Sequence, residues 1–411
     1  MVDYEILDNG IKLYKISFRN ENIAIGILVN IGSIYENREF RGISHLLEHM
    51  MFQSNKKYNK NFIHLLFEES GSIHNAVTYY NYTLYFAAVT KEGFENIVDL
   101  FYWMFENDKY DNNEFENEKN VVKTEIMMRE DDPIINLNDN LSKSVYGDSD
   151  YGDPVGGYIE TINNITKDNL EEFKYKYYSP KNISIFLEGN ISDKDVEIVR
   201  KYFSKLEGDN VKLKNPSKGK GKDIIIKMKN IQQIYYSINM NSEIKNIILI
   251  DALTKFYNLG ASSKIFEIFR NKYGIGYSPS LSLSNFYDDE IVYSLIIPGF
   301  QIDKEKIIDN AIREFLDNLK NIDDKYRKAR SNIYKFNYNL RKENILKRIE
   351  TDPYLIKILN MDYDQYFNKV HSLLSNIDRD FIEENEKYIY DLFEKGKKVI
   401  IYPEDYDKKY N

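Results

Sequence analysis

The short segment HLLEH, residues 45–49, contains two of the five histidines in this 411-residue chain. On an α-helix, residues three or four positions apart lie on the same face. His45, Glu48 and His49 would therefore share one face with Phe52, while leucine and methionine residues would occupy the other. Two imidazoles on one face can bind a divalent ion, and the carboxylate between them can act on a water molecule. The alternative is that both histidines are ordinary helix residues without a ligand.

A metal site of this kind needs a third ligand from another element. The segment EFENEKNVVKTEIMMRED, residues 114–131, has helical periodicity and places Glu118, Val121, Glu125 and Met128 on one stripe. Acidic side chains on a partly apolar stripe are costly to bury unless a positive charge meets them, and a divalent ion would meet that need. The alternative is a solvent-exposed stripe on which both glutamates are simply hydrated.

Strands and helices alternate around these segments. The first residues, YEILDNGIKLYKIS, predict a hairpin with its turn at Asp8-Asn9-Gly10, and NIAIGILVNIG predicts a buried strand. A helix ending near Gly71, two strands rich in Thr, Tyr and Val, and two further helices follow, before the strand KNISIFLEGNI. This mixture indicates an α+β fold in which sheets pack against helices.

The same order of elements begins again after residue 223. The segment KIFEIFRNKYGIGYSPSLSLSNFYDDEIVYSLII predicts a helix, a glycine stop at Gly274 and two strands, as in the first half around Gly71. This repetition predicts two homologous domains, and the corresponding helix of the second copy carries no histidine pair. We expect a catalytic domain at 1–207, a linker at 208–223 that is rich in Gly and Lys, and a second domain without metal at 224–411. The linker could in principle bind nucleic acid, but the absence of interleaved aromatic residues favours a solvated hinge.

Composition excludes several classes of protein. The chain has no cysteine, so disulfides, iron–sulfur clusters and thiol catalysis are excluded, and any metal must be held by His, Asp or Glu. The formal net charge of −9 disfavours nucleic acid as the main partner. Neither a secretory signal nor an apolar run long enough to cross a bilayer is visible, so we expect a cytoplasmic protein that does not interact with membranes.

These motifs together resemble the inverzincin metallopeptidases, a family that includes pitrilysin, insulin-degrading enzyme and the mitochondrial processing peptidase. Their HxxEH signature is followed by a glutamate about 75 residues on, and 75 residues separate His49 from Glu125. The flanking segments GSIYENREFRG, NAVTYYNYTLYF, VVKTEIMMREDDP and RNKYGIGYSPS are also similar to family segments. The resemblance covers nearly the whole chain, and the length is typical of the short, processing-peptidase-like branch.

The resemblance implies a role for several residues. One zinc ion per chain would be held by His45, His49 and Glu125, although manganese and cobalt suit the same ligands. Glu48 would be the general base, and Glu118 would orient the site. Two residues of the second half, Arg270 and Tyr277, have the family's spacing of seven. They would contact substrate, and Tyr277 would help to stabilise the oxyanion.

The resemblance also implies how substrate and partners bind. A peptide would add as a β-strand along Asn75, Ala76, Val77 and Thr78. The expected activity is a zinc-dependent endopeptidase that cleaves short unfolded peptides inside a clam-shaped chamber, of which one chain forms half. We expect a homodimer, with a heterodimer containing a related subunit as the alternative. Two other interpretations stay open: a non-catalytic or partner-dependent subunit, and an extracellular peptide-binding protein, which the missing signal disfavours.

The three remaining histidines are not expected to bind metal. His64 is expected to be structural, His74 to lie near the substrate strand, and His371 to lie on the surface.

Overall fold

The computed structural model describes residues 2–106 and 109–406. Backbone contacts divide the chain into two compact units. Unit 1 comprises Met1–Ile126, Pro154–Pro216 and Asn339–Gln365, and unit 2 comprises Met127–Asp153, Ser217–Tyr338 and Tyr366–Asn411. The two units interleave along the chain, and the contiguous domain boundaries expected from the sequence stay a prediction.

The described residues form two sheets with helices around them. The strands are β1 Tyr4–Ile6, β2 Lys12–Ser17, β3 Ile23–Val29, β4 Ser72–Thr78, β5 Thr83–Val89, β6 Ile183–Gly189, β7 Ile224–Met228, β8 Ile234–Glu243, β9 Ser280–Phe286, β10 Glu290–Phe300 and β11 Lys397–Pro403. The helices are α1 Ile43–Met50, α2 Lys60–Glu69, α3 Phe94–Phe105, α4 Asn112–Asp131, α5 Pro133–Asp139, α6 Leu141–Tyr146, α7 Ile159–Asn164, α8 Lys167–Tyr177, α9 Asp193–Phe203, α10 Ile247–Asn258, α11 Ile308–Asp317, α12 Asp324–Arg341, α13 Ile345–Leu359, α14 Tyr363–Asn376, α15 Arg379–Asn385 and α16 Lys387–Lys395. A π-helical segment, Phe266–Lys272, precedes β9.

The sheet of unit 1 has the order β1-β2-β6-β3-β5-β4. Every residue of β3, β5 and β6 is buried, as expected for central strands covered on both faces. Helix α13 packs against these three strands. This packing needs a glycine at position 26 of β3, because a Cβ atom there would lie 2.9 Å from Cδ1 of Ile349. At the far edge, β4 pairs only with β5 among the described strands.

The sheet of unit 2 repeats this arrangement. Its order is β7-β11-β8-β10-β9, which corresponds strand by strand to β2-β6-β3-β5-β4. In both sheets the first of these pairs is parallel and the other three are antiparallel. The prediction of an α+β fold with two homologous domains and mixed, mainly antiparallel sheets is therefore confirmed.

The linker at 208–223 has no regular secondary structure, and most of its residues are exposed. It is nevertheless held by close backbone contacts within unit 2. The N–H of Gly221 donates to the carbonyl of Val145, and a Cβ atom on Gly221 would lie 1.9 Å from the carbonyl oxygen of Ser144. Gly219 has a similar contact, 2.4 Å from the carbonyl oxygen of Tyr146. These two glycines therefore permit close packing, which the interpretation as a simple solvated hinge did not include.

Candidate metal centre

Helix α1 carries the HLLEH segment, and its opposite face is anchored in the core. Leu46, Leu47 and Met50 are fully buried, as the helical spacing predicted. The helix begins after Gly42, whose φ of 91° is in the left-handed region where glycine is favoured. The carboxylate of the buried Glu36 accepts hydrogen bonds of 2.8 Å from the backbone N–H groups of Gly42 and Ser44. An acid at this end of a helix satisfies free N–H groups and complements the helix dipole.

Three side chains meet beside α1. The Nε2 atoms of His45 and His49 lie 3.7 Å and 3.6 Å from Oε2 of Glu125, which is on α4. One ligand atom from each of the three residues lies within 4.8 Å of the other two. The two imidazole rings are nearly perpendicular, with 4.8 Å between their centroids. The two predicted histidine ligands and the predicted glutamate ligand therefore lie together in unit 1.

Glu118 supports one of these histidines. Its Oε2 atom accepts a hydrogen bond of 3.3 Å from Nδ1 of His49, which leaves Nε2 to face Glu125. Its Oε1 atom accepts hydrogen bonds from Nε2 of Gln53, at 3.0 Å, and from Nζ of Lys60, at 3.2 Å. The hydrogen bond from His49 and the charge of Lys60 lower the pKa of Glu118. An orienting role for Glu118 was predicted from the sequence, whereas its contacts with Gln53 and Lys60 were not.

The charge of His49 depends on these carboxylates. Burial lowers the pKa of His49, but the hydrogen bonds to Glu118 and Glu125 and the charges of Glu48 and Glu125 outweigh it and raise the pKa to about 9. His49 therefore carries a proton near neutral pH. A divalent ion bound at Nε2 would replace this proton and would be attracted by the same carboxylates.

Glu48 lies beside the three-residue cluster. Burial raises the pKa of Glu48, and the hydrogen bond from Thr78 and the charge of His49 oppose this effect. The hydroxyl of Thr78 donates to Oε2 of Glu48 at 2.5 Å. Thr78 is the last residue of β4, the edge strand predicted to bind substrate. This hydrogen bond was not predicted, since sequence analysis placed Thr78 only in the substrate strand.

The predicted stripe on α4 is only partly correct. Glu118 is buried, but Val121 and Met128 are exposed, and the buried apolar residues of the helix include Val122 and Ile126 instead. The apolar residues that face the core are therefore each one position after a residue of the predicted stripe: Val122 follows Val121, and Ile126 follows Glu125. Val121 and Met128 therefore do not form an apolar surface around the two glutamates.

The other predicted residues lie as follows. Along β4, Asn75 is exposed, Val77 is half-buried and Ala76 is buried. In unit 2, the guanidinium of Arg270 lies 4.4 Å from the ring centroid of Tyr277, and 77% of Tyr277 is exposed. Arg270 belongs to the π-helical segment, a conformation that is rare and often found at functional sites.

His371 was expected on the surface, but it is half-buried in unit 2. It hydrogen-bonds Ser331 at 3.0 Å and stacks on Phe367.

Comparison with known proteins identifies the family. Residues 15–157 match the family described as insulinase, peptidase family M16, and residues 164–333 match the peptidase M16 inactive domain. YmxG of Bacillus subtilis, called an uncharacterized zinc protease, is 32% identical over 304 residues, which are 73% of each chain. The chain belongs to the M16 peptidase family. An uncharacterized zinc protease of Rickettsia felis is 28% identical over 67% of this chain and 68% of its own length.

Solved structures have the same fold. A protease from Helicobacter pylori has a TM-score of 0.87 at 21% identity, covering 98% of this chain and 99% of its own. The periplasmic protease PqqL of Escherichia coli has a TM-score of 0.79 at 16% identity, and the match covers 99% of this chain but 48% of PqqL. Because the M16 inactive-domain match begins at residue 164, the candidate metal centre lies in the part matched by the insulinase description.

The M16 relatives are named zinc proteases, so we asked whether the three side chains fit zinc. Ligand atoms at about 2.0–2.1 Å from a tetrahedral zinc ion lie about 3.3 Å apart. The 3.6 Å and 3.7 Å separations are within a few tenths of an ångström of that value. Two imidazole nitrogens and one carboxylate oxygen are also the protein ligands of one class of catalytic zinc site, in which water or substrate takes the fourth position. The residues fit zinc.

No helix among the described residues combines the length and the apolar character needed to cross a membrane.

Proposed function

We propose that this M16 protein is a zinc-dependent endopeptidase that cleaves short unfolded peptides, with one zinc ion per chain and Glu48 as general base. The main support is that His45, His49 and Glu125 converge beside a carboxylate that is not needed as a ligand. Zinc sites that hydrolyse peptides have this composition of two imidazoles, one carboxylate and a separate base.

The protein side chains have distinct tasks in this proposal. A zinc ion bound by the three ligands would supply a Lewis acid that activates water and polarises the scissile carbonyl. Burial raises the pKa of Glu48 towards the range in which a carboxylate is an effective base. Thr78 occupies Oε2 of Glu48, so we assign proton transfer from water to the leaving amine to Oε1. Glu118 holds the tautomer of His49.

Substrate would bind along β4 as an additional strand. Among the described strands β4 lies at the edge of its sheet, and such an edge offers backbone hydrogen bonds that a peptide of almost any sequence can satisfy. Thr78 connects this edge directly to Glu48. A peptide paired with β4 would thus pass close to the base. The assignment of substrate contacts to Arg270 and Tyr277 in unit 2 stays a prediction.

The decisive experiment is metal analysis and peptide cleavage by the chain and its Glu48→Gln variant. We expect about one zinc per chain in both proteins and cleavage of an unfolded basic peptide of about 20 residues. We expect Glu48→Gln to retain zinc and to lose activity by roughly 10²–10⁴-fold, the usual contribution of a general base. Glu68→Gln is the matched control, because Glu68 is an exposed acid on α2.

The two other outcomes point elsewhere. Zinc binding without cleavage by the unmodified protein would favour a non-catalytic or partner-dependent subunit. Failure to bind any metal would contradict the assignment of the three ligands. The expected homodimer and chamber stay predictions, and the molar mass in solution tests the dimer.

A further inference from the structure

Oε1 of Glu118, the oxygen that does not face His49, accepts hydrogen bonds from two side chains. Gln53 is buried and neutral, and its Nε2 atom lies 3.0 Å from Oε1 of Glu118. Lys60 begins α2, and its Nζ atom lies 3.2 Å from the same oxygen, with 41% of its side chain exposed. Because one buried amide already orients the carboxylate, the ammonium group is not required for its position. Its main effect is therefore electrostatic.

We propose that Lys60 lowers the metal affinity of the centre through Glu118, whereas Gln53 is the positioning residue that orients Glu118. This inference rests on the proposed metal centre. It predicts opposite effects when the two donors are removed: loss of the lysine charge tightens metal binding, and loss of the glutamine amide weakens it.

The sign follows from the charges. The ammonium group of Lys60 lies beside the carboxylate of Glu118, which supports His49. Its positive charge therefore reduces the negative potential at the ligand atoms. A neutral side chain at position 60 would leave Glu118 as a stronger acceptor and His49 as a better electron donor. Protons compete with the metal for His49, but a divalent ion gains twice as much as a proton from the same change in potential. Proton competition therefore does not reverse the sign.

The size of the effect follows from the path between the charges. Nζ of Lys60 and Oε1 of Glu118 are 3.2 Å apart, and Oε2 and Nδ1 of His49 are 3.3 Å apart. The path from the ammonium group to the ion also crosses the carboxylate of Glu118 and the imidazole ring of His49. The straight distance from Nζ of Lys60 to an ion bound at Nε2 of His49 is then about 8–10 Å. At that distance, with allowance for the exposure of Lys60, we expect the affinity to change about five- to ten-fold.

Lys57 offers a matched control on the same segment. It is also a lysine, 40% exposed, but its Nζ atom binds Asp99 at 2.5 Å rather than Glu118. Lys57→Met therefore removes the same charge as Lys60→Met and leaves the same methionine side chain. It does not change the hydrogen bonds of Glu118, which supports His49. Lys60→Arg keeps the charge and should behave like the unmodified protein.

The test is competition with a chelator for Zn²⁺ and for Co²⁺ on the full chain. We expect Lys60→Met and Lys60→Gln to bind both ions about five- to ten-fold more tightly, with a difference that shrinks at high salt. We expect Lys57→Met and Lys60→Arg to match the unmodified protein, and Gln53→Met to bind more weakly. A purely structural role for Lys60 would lower the affinity and would not depend on salt.

Three results would separate the possible failures. If Lys60→Met and Lys60→Gln bind metal no more tightly than Lys57→Met, the inference is wrong while the metal centre stands. If Gln53→Met binds as well as the unmodified protein, the orienting role of Gln53 is wrong. If the unmodified protein binds neither ion, the proposed function itself fails.

Discussion

A buried pair of carboxyl groups in unit 1 predicts how stability depends on pH. Glu188 on β6 is fully buried, and neither of its oxygens receives a hydrogen bond from an N–H or hydroxyl group of the described residues. Its carboxyl faces Asp352 on α13, which is also fully buried. Arg348 lies 3.2 Å from Asp352 and 3.1 Å from Asp364, so its single charge is shared. We therefore expect the Glu188–Asp352 pair to retain a proton at neutral pH.

The pKa shifts of the pair have the same direction. Burial and the charge of Asp352 raise the pKa of Glu188 well above its usual value, and Arg348 offsets this only in part. Burial likewise raises the pKa of Asp352, against the lowering effect of Arg348. In the unfolded chain both groups would titrate near pH 4. Between about pH 5 and pH 7 the folded protein therefore binds at least one proton that the unfolded chain lacks.

This difference fixes the sign and the size of the effect. A folded state that binds more protons loses stability as the pH rises, by about 1.4 kcal/mol per pH unit for each extra proton. From pH 5 to pH 7 the pair thus removes about 2.7 kcal/mol from the free energy of unfolding. Glu188→Gln replaces the acid by a neutral group of the same shape. We expect it to raise stability relative to the unmodified protein by a margin that grows with pH over this range.

The assay is urea unfolding at pH 5, 6 and 7, followed by the fluorescence of Trp103, the one tryptophan of the chain. Trp103 lies on α3 in unit 1, the unit that contains the pair. Other groups titrate in the same range: burial lowers the pKa of His74 to about 4, which gives a slope of opposite sign. The quantity to compare is therefore the difference between variant and unmodified protein. A difference that stays constant from pH 5 to pH 7 would refute the reasoning.

Three further predictions concern the centre and the linker. Thr78→Val should lower peptide cleavage about ten-fold without loss of zinc, because Glu48 loses its hydrogen-bond donor; steady-state kinetics and metal analysis check this. Glu118→Gln should weaken zinc binding about 10–100-fold in chelator competition, and unchanged affinity would contradict its role. Gly221→Ala should lower the thermal unfolding temperature measured by circular dichroism, because its Cβ atom would clash with the carbonyl of Ser144, whereas Lys222→Ala should not.

Local patterns in the sequence were sufficient to predict much of unit 1. Leu46, Leu47 and Met50 recur with helical spacing, so the face of α1 that carries His45 and His49 could be deduced from one short segment. The hairpin of β1 and β2 follows from a turn in which Gly10 has a φ of 97°. The repeated order of elements predicted two related domains. It did not predict the strand order, because β6 and β11 join their sheets from far along the chain, between strands that precede them in sequence.

Contacts between distant residues could not be predicted in this way. Gln53 and Lys60 meet Glu118 across separations of 65 and 58 residues, and neither belongs to a periodic pattern. Glu36 was missed because a single acid before a helix has no distinctive spacing. The stripe on α4 was misjudged at Val121 because the position of a helix on the core depends on tertiary packing.

Among the described residues the candidate three-ligand cluster lies in unit 1, and the second copy of the domain suggests why. Helix α10 follows β8 as α1 follows β3, and it also carries a buried acid, Asp251. That carboxylate is met by Lys255 on the same helix and by the hydroxyl of Tyr366 at 2.9 Å. A buried acid with its own cation does not need a divalent ion. In unit 1, by contrast, the carboxylate of Glu125 faces two imidazoles, His45 and His49, and an imidazole can either carry a proton or bind a metal ion.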